Sequence, residues 1–167
     1  MQVAVDRLID VRWTEAIHDE WIRNLASNVS TIPVERLQMT RRLMEAALPN
    51  AMVTGYERHI PSLNLPDPND RHVVAAGIAA GASIILTLNL KDFPALELRK
   101  YCLRRQTPDA FLAELYDRAP ELTLASLANA RRNLSKSQVS ASDFVGILRS
   151  QKLIQLAAKV VGHIGDL

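Results

Sequence analysis

The sequence predicts an α/β fold with a parallel sheet, followed by a helical extension, and three observations support this. A run of small residues from about Arg71 to Ala80 is typical of a helix, and Asp70 precedes it as a good N-cap. The segment 83–87 follows at once, and its unbroken apolar, β-branched character is that of a strand covered on both faces of a parallel sheet. From Thr107 onward, helical patterns with clear starting residues replace the strand patterns.

Composition sets limits on what the chain can be. Its 167 residues, 48% of them hydrophobic, suffice for one compact domain or a domain with an appendage. The 20 basic and 18 acidic residues nearly balance, so charge alone does not indicate nucleic-acid binding. Cys102 is the single cysteine, which excludes a disulfide or zinc site within one chain; we expect it in a strand and buried. With no run of 18 apolar residues and no signal-peptide pattern, we expect a cytoplasmic protein without membrane contact.

The first half of the chain alternates helical and extended patterns. Thr14 is placed to cap the first long helix, which is expected to end near Ser27. The predicted elements are the end of a helix within 3–9, helices at 15–27 and 34–48, a short strand at 51–56, and a loop before the helix at 71–80.

The second half divides at Thr107. A last strand is predicted at 101–106, and its charged side chains suit the edge of a sheet. The run Thr107-Pro108-Asp109 then combines a cap, a first-turn proline and an acid that complements the helix dipole. We therefore predict an α/β domain over residues 1–106 and a helical extension over 107–167. The extension's helices are expected at 108–118, 120–134, 142–150 and 153–164, with Ser140 and Ser142 both open as the cap of the third.

Three patterns in this order resemble the PIN domain family, in its bacterial branch with a helical C-terminal extension. The stretch 67–73 reads D-x-x-D-R-H-V, and after the small-residue helix and the apolar strand, residues 87–94 read T-x-N-x-K-D-F-P. The stretch 13–25, WTEAIHDEWIRNL, is similar to the segment that carries the family's glutamate, which is Glu20 here. The resemblance implies a three-layer αβα fold with a parallel sheet. PIN domains are, as a family, metal-dependent ribonucleases, and many are toxins of VapBC-type toxin–antitoxin pairs.

The resemblance also implies a metal site. Its ligands would be Glu20, Asp70 and Asp92, holding Mg²⁺ or Mn²⁺, with Asn89 beside Asp92 at the catalytic centre. A divalent cation lowers the pKa of bound water and neutralises charge on the phosphate during hydrolysis of RNA. Such cations prefer oxygen ligands, and carboxylates held close together repel one another unless a cation lies between them.

Each of these acids has an alternative that the residues leave open. Asp70 could act only as an N-cap, and Asp92 could only open a turn. Without the resemblance, Glu20 has no stronger claim than its neighbour Asp19, because acids on helices are usually solvated. Asp67 has the weakest claim to a role in the site, since Asp-Pro is an ordinary turn starter.

Basic residues near these acids form a candidate RNA-binding rim. Arg71 and Lys91, which adjoin Asp70 and Asp92, are its first members. The wider rim comprises Arg71, Lys91, Arg99, Lys100, Arg104 and Arg105, although such clusters are often only solvated faces. His72 could meet phosphate, but both it and His18 are also compatible with the protein surface.

One part of the family pattern has no counterpart. PIN domains begin with a strand that ends in a metal-binding aspartate, followed by a helix, and Met1 falls within the position of that helix. Asp6 could replace the aspartate, but Arg7-Leu8-Ile9 leaves no room for the helix before Trp13. Three explanations stay open: the start is mis-assigned, a partner chain supplies the strand, or the sheet closes differently. We expect this chain to be weakly active or inactive alone.

Two functions follow as expectations. The first is a metal-dependent ribonuclease that acts on RNA, as the toxin of a pair with an antitoxin protein as partner. The second is a catalytically inactive PIN-like protein that binds a partner or RNA. Metal binding separates the two, and whether the chain forms a homo-oligomer stays open.

Overall fold

A computed structural model describes residues 1–134 and 138–167. The helices are α1 (Gln2–Val5), α2 (Glu15–Asn28), α3 (Val34–Ala47), α4 (Arg71–Ala79), α5 (Ala95–Arg99), α6 (Pro108–Arg118), α7 (Pro120–Arg132), α8 (Ala141–Ser150) and α9 (Ile154–Val160). The strands are β1 (Ile84–Leu86) and β2 (Arg104–Gln106). Single 3₁₀ turns, which include Pro68–Asp70 and Leu90–Asp92, connect several of these elements.

The sheet is small and parallel. β1 pairs with β2 through hydrogen bonds that include Arg104 N–H to Ser83 O (3.0 Å) and Thr87 N–H to Gln106 O (3.0 Å). The α/β class is therefore confirmed, whereas the full three-layer PIN arrangement stays a prediction. The prediction of a strand at 51–56 is wrong, because Met52 makes only an isolated parallel bridge to Trp13. Pro49–Ala51 forms a 3₁₀ turn before it, and Gly55 follows with a φ of +69°, so no extended run develops.

Cys102 is not where the sequence placed it. It is exposed and precedes β2, so the prediction of a buried cysteine within a strand is wrong. Cys102 has a left-handed φ of 58°, and the next residue donates its N–H to Leu98 O (3.1 Å). This arrangement ends α5 in a Schellman-type turn and returns the chain to the core at Leu103, which is 2% exposed.

The described residues group into two compact units. The α/β unit comprises Asp10–Ile85 and Asn89–Arg105, and the helical unit comprises Met1–Ile9, Leu86–Leu88 and Gln106–Leu167. Each unit has its own apolar core. The predicted boundary at residue 106 was drawn from sequence pattern, and it stays a prediction.

Helix α4 is the centre of the α/β unit's core. Its residues Val74 and Ala75 are fully buried and pack with Ile85 of β1. Gly77 permits a close approach, because a Cβ at this position would lie 3.3 Å from Leu103 Cδ1. Since α4 begins directly after Asp70, this packing fixes the place where the candidate carboxylate leaves the core.

The helical unit follows the predicted pattern closely. Thr107 caps α6 by accepting from Ala110 N–H (3.2 Å), and Ser140, not Ser142, caps α8 by accepting from Asp143 N–H (3.1 Å). The last predicted helix is shorter than expected, since α9 ends at Val160 and a 3₁₀ segment follows. The core of the helical unit contains Leu124, Leu127, Phe144, Val145, Leu148, Leu156, Ala157, Val160 and Leu167. No helix in the described part of the chain has the length and apolar character required to span a membrane.

Candidate active site

Asp70 lies at the junction of a 3₁₀ turn and helix α4. The turn Pro68–Asp70 is capped by Asp67, whose Oδ1 accepts from Asn69 N–H at 2.8 Å. Asp70 occupies the N-cap position of α4, but its side chain makes no capping hydrogen bond. The capping role expected for the Asp70 carboxylate is therefore wrong. Asp67 caps the turn instead, so the Asp70 carboxylate is not occupied in capping and can take part in another interaction.

Glu20 reaches the start of α4 through a histidine. His72 Nε2 lies 3.2 Å from Glu20 Oε2, while His72 Nδ1 lies 2.7 Å from the carbonyl oxygen of Asn69. Since a carbonyl oxygen can only accept, Nδ1 carries a proton. Nε2 is buried against the Glu20 carboxylate, but the geometry of this contact does not form a hydrogen bond. His72 thus packs against Glu20, and its side chain is only 16% exposed.

Helix α2 is held in place by a buried histidine and an ion-pair cluster. His18 is fully buried, so the expectation of a surface histidine is wrong; its Nδ1 accepts from Trp21 Nε1–H at 2.9 Å. Burial lowers the pKa of His18, and the positive charge of Arg41 lowers it further. Arg41, on α3, donates to Glu45 (2.7 Å) and Glu15 (2.9 Å). The contact with Glu15 joins α2 to α3 and so fixes the helix that carries Glu20.

Asp92 lies in the 3₁₀ turn Leu90–Asp92 between β1 and α5. Asn89 Nδ2 donates a short hydrogen bond to Asp92 Oδ2. Phe93, which follows, is 4% exposed and anchors the end of the turn in the core. Asn89 therefore orients the Asp92 carboxylate.

The electrostatics of the site centre on Asp70. Burial raises the pKa of the Asp70 carboxyl above its usual value. Three negative charges raise this pKa further, those of Asp67, Glu20 and Asp92, while His72 opposes them. Glu20 and Asp92 thus each lie within electrostatic range of Asp70.

The donor set is compatible with a hard cation but does not enclose one. Among the described residues, no group of three or more His, Cys, Asp or Glu side chains is arranged to hold a metal ion. A Mg²⁺ ion, however, usually keeps several waters and binds through only one or two carboxylates. A cation would also relieve the repulsion that raises the pKa of Asp70. The chemistry of these oxygens fits Mg²⁺ or Mn²⁺.

The basic residues near the site differ in their availability. Lys91 is exposed, whereas Arg71 is half-buried and its Nε has no hydrogen-bond partner among the described residues. Lys100 pairs with the Glu97 carboxylate at 2.5 Å. Arg105 donates to the main-chain carbonyls of Leu90 and Phe93 instead of facing solvent. RNA binding by Arg71 and Lys91 stays a prediction.

Sequence reasoning missed two contacts and one cap. His72 beside Glu20 depends on the orientation of α2 against α4, and Arg105 at the Asp92 turn depends on the register of β2. Neither has a local signal in the sequence. The cap by Asp67 had one, because Asp-Pro-Asn places an Asp side chain within reach of the N–H two residues on.

The chain matches known proteins in two comparisons. The family model described as the VapC50 C-terminal domain matches residues 108–161, which belong to the helical unit. A protein of Mycobacterium tuberculosis named "Putative ribonuclease VapC50" is 32% identical over 118 residues, covering 66% of this chain and 67% of that protein. No solved structure gives a significant match.

Proposed function

The chain belongs to the VapC-like PIN-domain proteins, and from that premise we propose that it is a metal-dependent ribonuclease that hydrolyses phosphodiester bonds of RNA. The observation that carries the proposal is the placement of Asp70 at the start of α4, where its carboxylate makes no capping hydrogen bond and is within electrostatic range of Asp67, Glu20 and Asp92. Folding brings like charges together here although their repulsion is unfavourable, which is typical of a site made for a cation.

In the proposed site, the chain's own residues have distinct tasks. Glu20, Asp70 and Asp92 would hold Mg²⁺ or Mn²⁺, one or two of them directly and the rest through the ion's bound waters. The bound ion would activate water and neutralise charge on the scissile phosphate. Asn89 orients the Asp92 carboxylate through its hydrogen bond, and His72 packs against Glu20. Lys91 is exposed one residue before Asp92, where it can contact an RNA phosphate.

The toxin and partner assignments follow from the family. We propose that the ribonuclease is the toxin of a toxin–antitoxin pair, so that an antitoxin protein is its partner. Induced expression in a bacterial host should then slow growth, and Asp70→Asn should remove the effect at equal protein level. Equal growth inhibition by both forms would mean that toxicity does not come from this site.

One observation favours a second candidate, a catalytically inactive PIN-like binding protein. The described residues contain no ready group of three His, Cys, Asp or Glu side chains around a metal. A binding protein of this kind would show no Mn²⁺ affinity at millimolar concentration. Titration of the purified chain with Mn²⁺, followed by electron paramagnetic resonance, therefore separates the two candidates.

The test of activity compares Asp70→Asn with the unchanged chain. The variant keeps the side-chain shape and removes the charge, so it should fold and lose RNA cleavage. Mutation of a residue that only supports a metal ligand typically lowers activity by about 10–100-fold, and we expect mutation of the ligand itself to lower it more. Asp166→Asn is the matched control, because Asp166 is exposed and pairs with His163 at 3.3 Å in the helical unit. Cleavage that persists in excess EDTA, or equally in Asp70→Asn purified by the same route, would contradict the proposal.

A further inference from the structure

The guanidinium of Arg105 is committed to the turn that carries Asp92. Arg105, on β2, is half-buried, and its Nη1 donates to the carbonyl oxygens of Leu90, in a short hydrogen bond, and of Phe93, at 2.8 Å. These two carbonyls lie at the beginning and just beyond the end of the turn Leu90–Asp92. A single cationic group therefore spans the segment whose last residue is Asp92.

The main-chain hydrogen bonds within the turn are long, with Asp92 N–H to Asn89 O at 3.4 Å and Phe93 N–H to Leu90 O at 3.2 Å. Hydrogen bonds from a charged donor are stronger than those between neutral groups. The contacts of Arg105 are thus stronger than the main-chain hydrogen bonds that the turn makes within itself.

Arg105 has no acidic partner among the ion pairs of the described residues, in contrast to Lys100 and Arg118, which pair with Glu97 and Glu114. Its position on β2 is set by the parallel ladder to β1, which is a rigid support compared with a loop. The Arg105 guanidinium therefore donates to main-chain oxygens. Surface arginines, by contrast, commonly remain solvated or pair with carboxylates.

We infer that Arg105 is a positioning residue that fixes the Asp92 carboxylate for metal binding. The inference rests on the proposed metal-dependent function. Buried Phe93 holds the end of the turn from within the core, and Arg105 holds both of its ends from the sheet. Asn89 then sets the direction of the carboxylate itself. The three contacts leave Asp92 little freedom, as a ligand with a defined geometry requires.

The test uses Arg105→Met, which keeps most of the apolar stem and removes the donors. We expect Mn²⁺ affinity to fall roughly tenfold or more, in the range of other residues that support metal ligands. The KM for RNA at saturating Mn²⁺ should not change, because the guanidinium faces the protein's own carbonyls. Amide hydrogen exchange should accelerate in residues 89–93. Arg149→Met, an exposed arginine on α8, is the matched control and should change none of these.

Two results would overturn the inference. One is unchanged Mn²⁺ affinity with an increased KM for RNA, which would make Arg105 a residue that contacts RNA. The other is unchanged exchange in residues 89–93. Should Arg105→Met not fold, Arg105→Lys provides the same measurements with the charge kept, since its ammonium is one bond shorter and cannot reach both carbonyls unshifted. If the unchanged chain binds no Mn²⁺, the proposed function fails, and exchange alone then decides whether Arg105 holds the turn.

Discussion

The carboxylate of Asp70 is held in an unfavourable environment. Its pKa is raised by burial and then by Asp67, Glu20 and Asp92. Because this pKa is higher in the folded chain than in the unfolded chain, the folded state binds the proton more tightly. The stabilisation is therefore fully present below the usual pKa of aspartate and is lost as pH rises through the higher pKa of the folded state. At neutral pH the ionised side chain opposes folding.

We predict that Asp70→Asn increases the free energy of unfolding at pH 7 in metal-free buffer. The amide removes the repulsion and keeps the shape. With Mn²⁺ added, the unchanged chain should become the more stable of the two. A ligand at 100 times its Kd stabilises the protein that binds it by about 2.7 kcal/mol, and the variant should gain little because it has lost a ligand. Urea unfolding with and without Mn²⁺ measures both effects. A variant that is less stable than the unchanged chain without metal would show that the carboxylate makes favourable contacts in the folded state.

The sequence led to the residues of the candidate site but not to the contacts between them. Asp70 stood out as the N-cap of a clear helix and Asp92 as a residue just past a clear strand, and the family resemblance then gave both a metal role. Glu20 was chosen only through the family resemblance. His18 was misjudged although a signal existed, because it lies four residues before Ile22 on the apolar stripe of α2. The contacts of Arg105 depend on tertiary register, which no local pattern contains.

Among the helices, α9 shows how a short element depends on its neighbours. It has seven residues, and its N-cap residue, Leu153, provides no side-chain cap. Asp109 of α6 supplies one instead, accepting from Gln155 N–H and Leu156 N–H at 3.0 Å each. The sequence predicted Asp109 as an acid in the first turn of its own helix. Its second role is to cap α9, through N–H groups that lie 46 and 47 positions further along the chain. No local sequence pattern predicts contacts at that separation.

We predict that Asp109→Ala destabilises the protein by about 1–2 kcal/mol, the usual cost of losing a helix cap. Two N–H groups at the start of α9 would lose their acceptor, while the N-terminal start of α6 keeps its own cap at Thr107. Asp109→Asn should lose less, because its amide oxygen can still accept. Urea unfolding measures the change, and hydrogen exchange should show it first in α9. Equal losses in both variants would indicate that the negative charge, not the hydrogen bonding, is what matters.

Across the whole molecule, the chain's first residues belong with its last helices. Met1–Ile9 groups with Gln106–Leu167 in the helical unit. Part of the link is polar: Asn129 Nδ2 donates to Asp6 Oδ2 at 3.2 Å, and Asn133 Nδ2 donates to Gln2 Oε1 at 2.9 Å. Asp6, which the sequence allowed as a substitute for the family's first aspartate, is therefore engaged with α7.

The final prediction is that the Asp6 link weakens in acid. The pKa of Asp6 is lowered first by the buried Ser126 hydroxyl, although no well-aligned hydrogen bond forms there, and then by Asn129 and Gln2. A lowered pKa in the folded state gives stability that is present above the usual pKa of aspartate, about 3.9, and is lost as pH falls through the folded-state value.

A double-mutant cycle of Asp6→Ala and Asn129→Ala isolates this contact, since each single change removes one partner. We expect a coupling energy of about 0.5–1.5 kcal/mol at pH 7, typical of a hydrogen bond, that declines towards zero as pH is lowered below 4. Urea unfolding between pH 7 and pH 3 measures it, with hydrogen exchange in α7 as the local readout. A coupling energy that stays constant over this range would show that the carboxylate charge of Asp6 does not hold the N-terminal segment on α7. The segment would then be retained by the packing of Val3 and Ala4, which are 7% and 4% exposed.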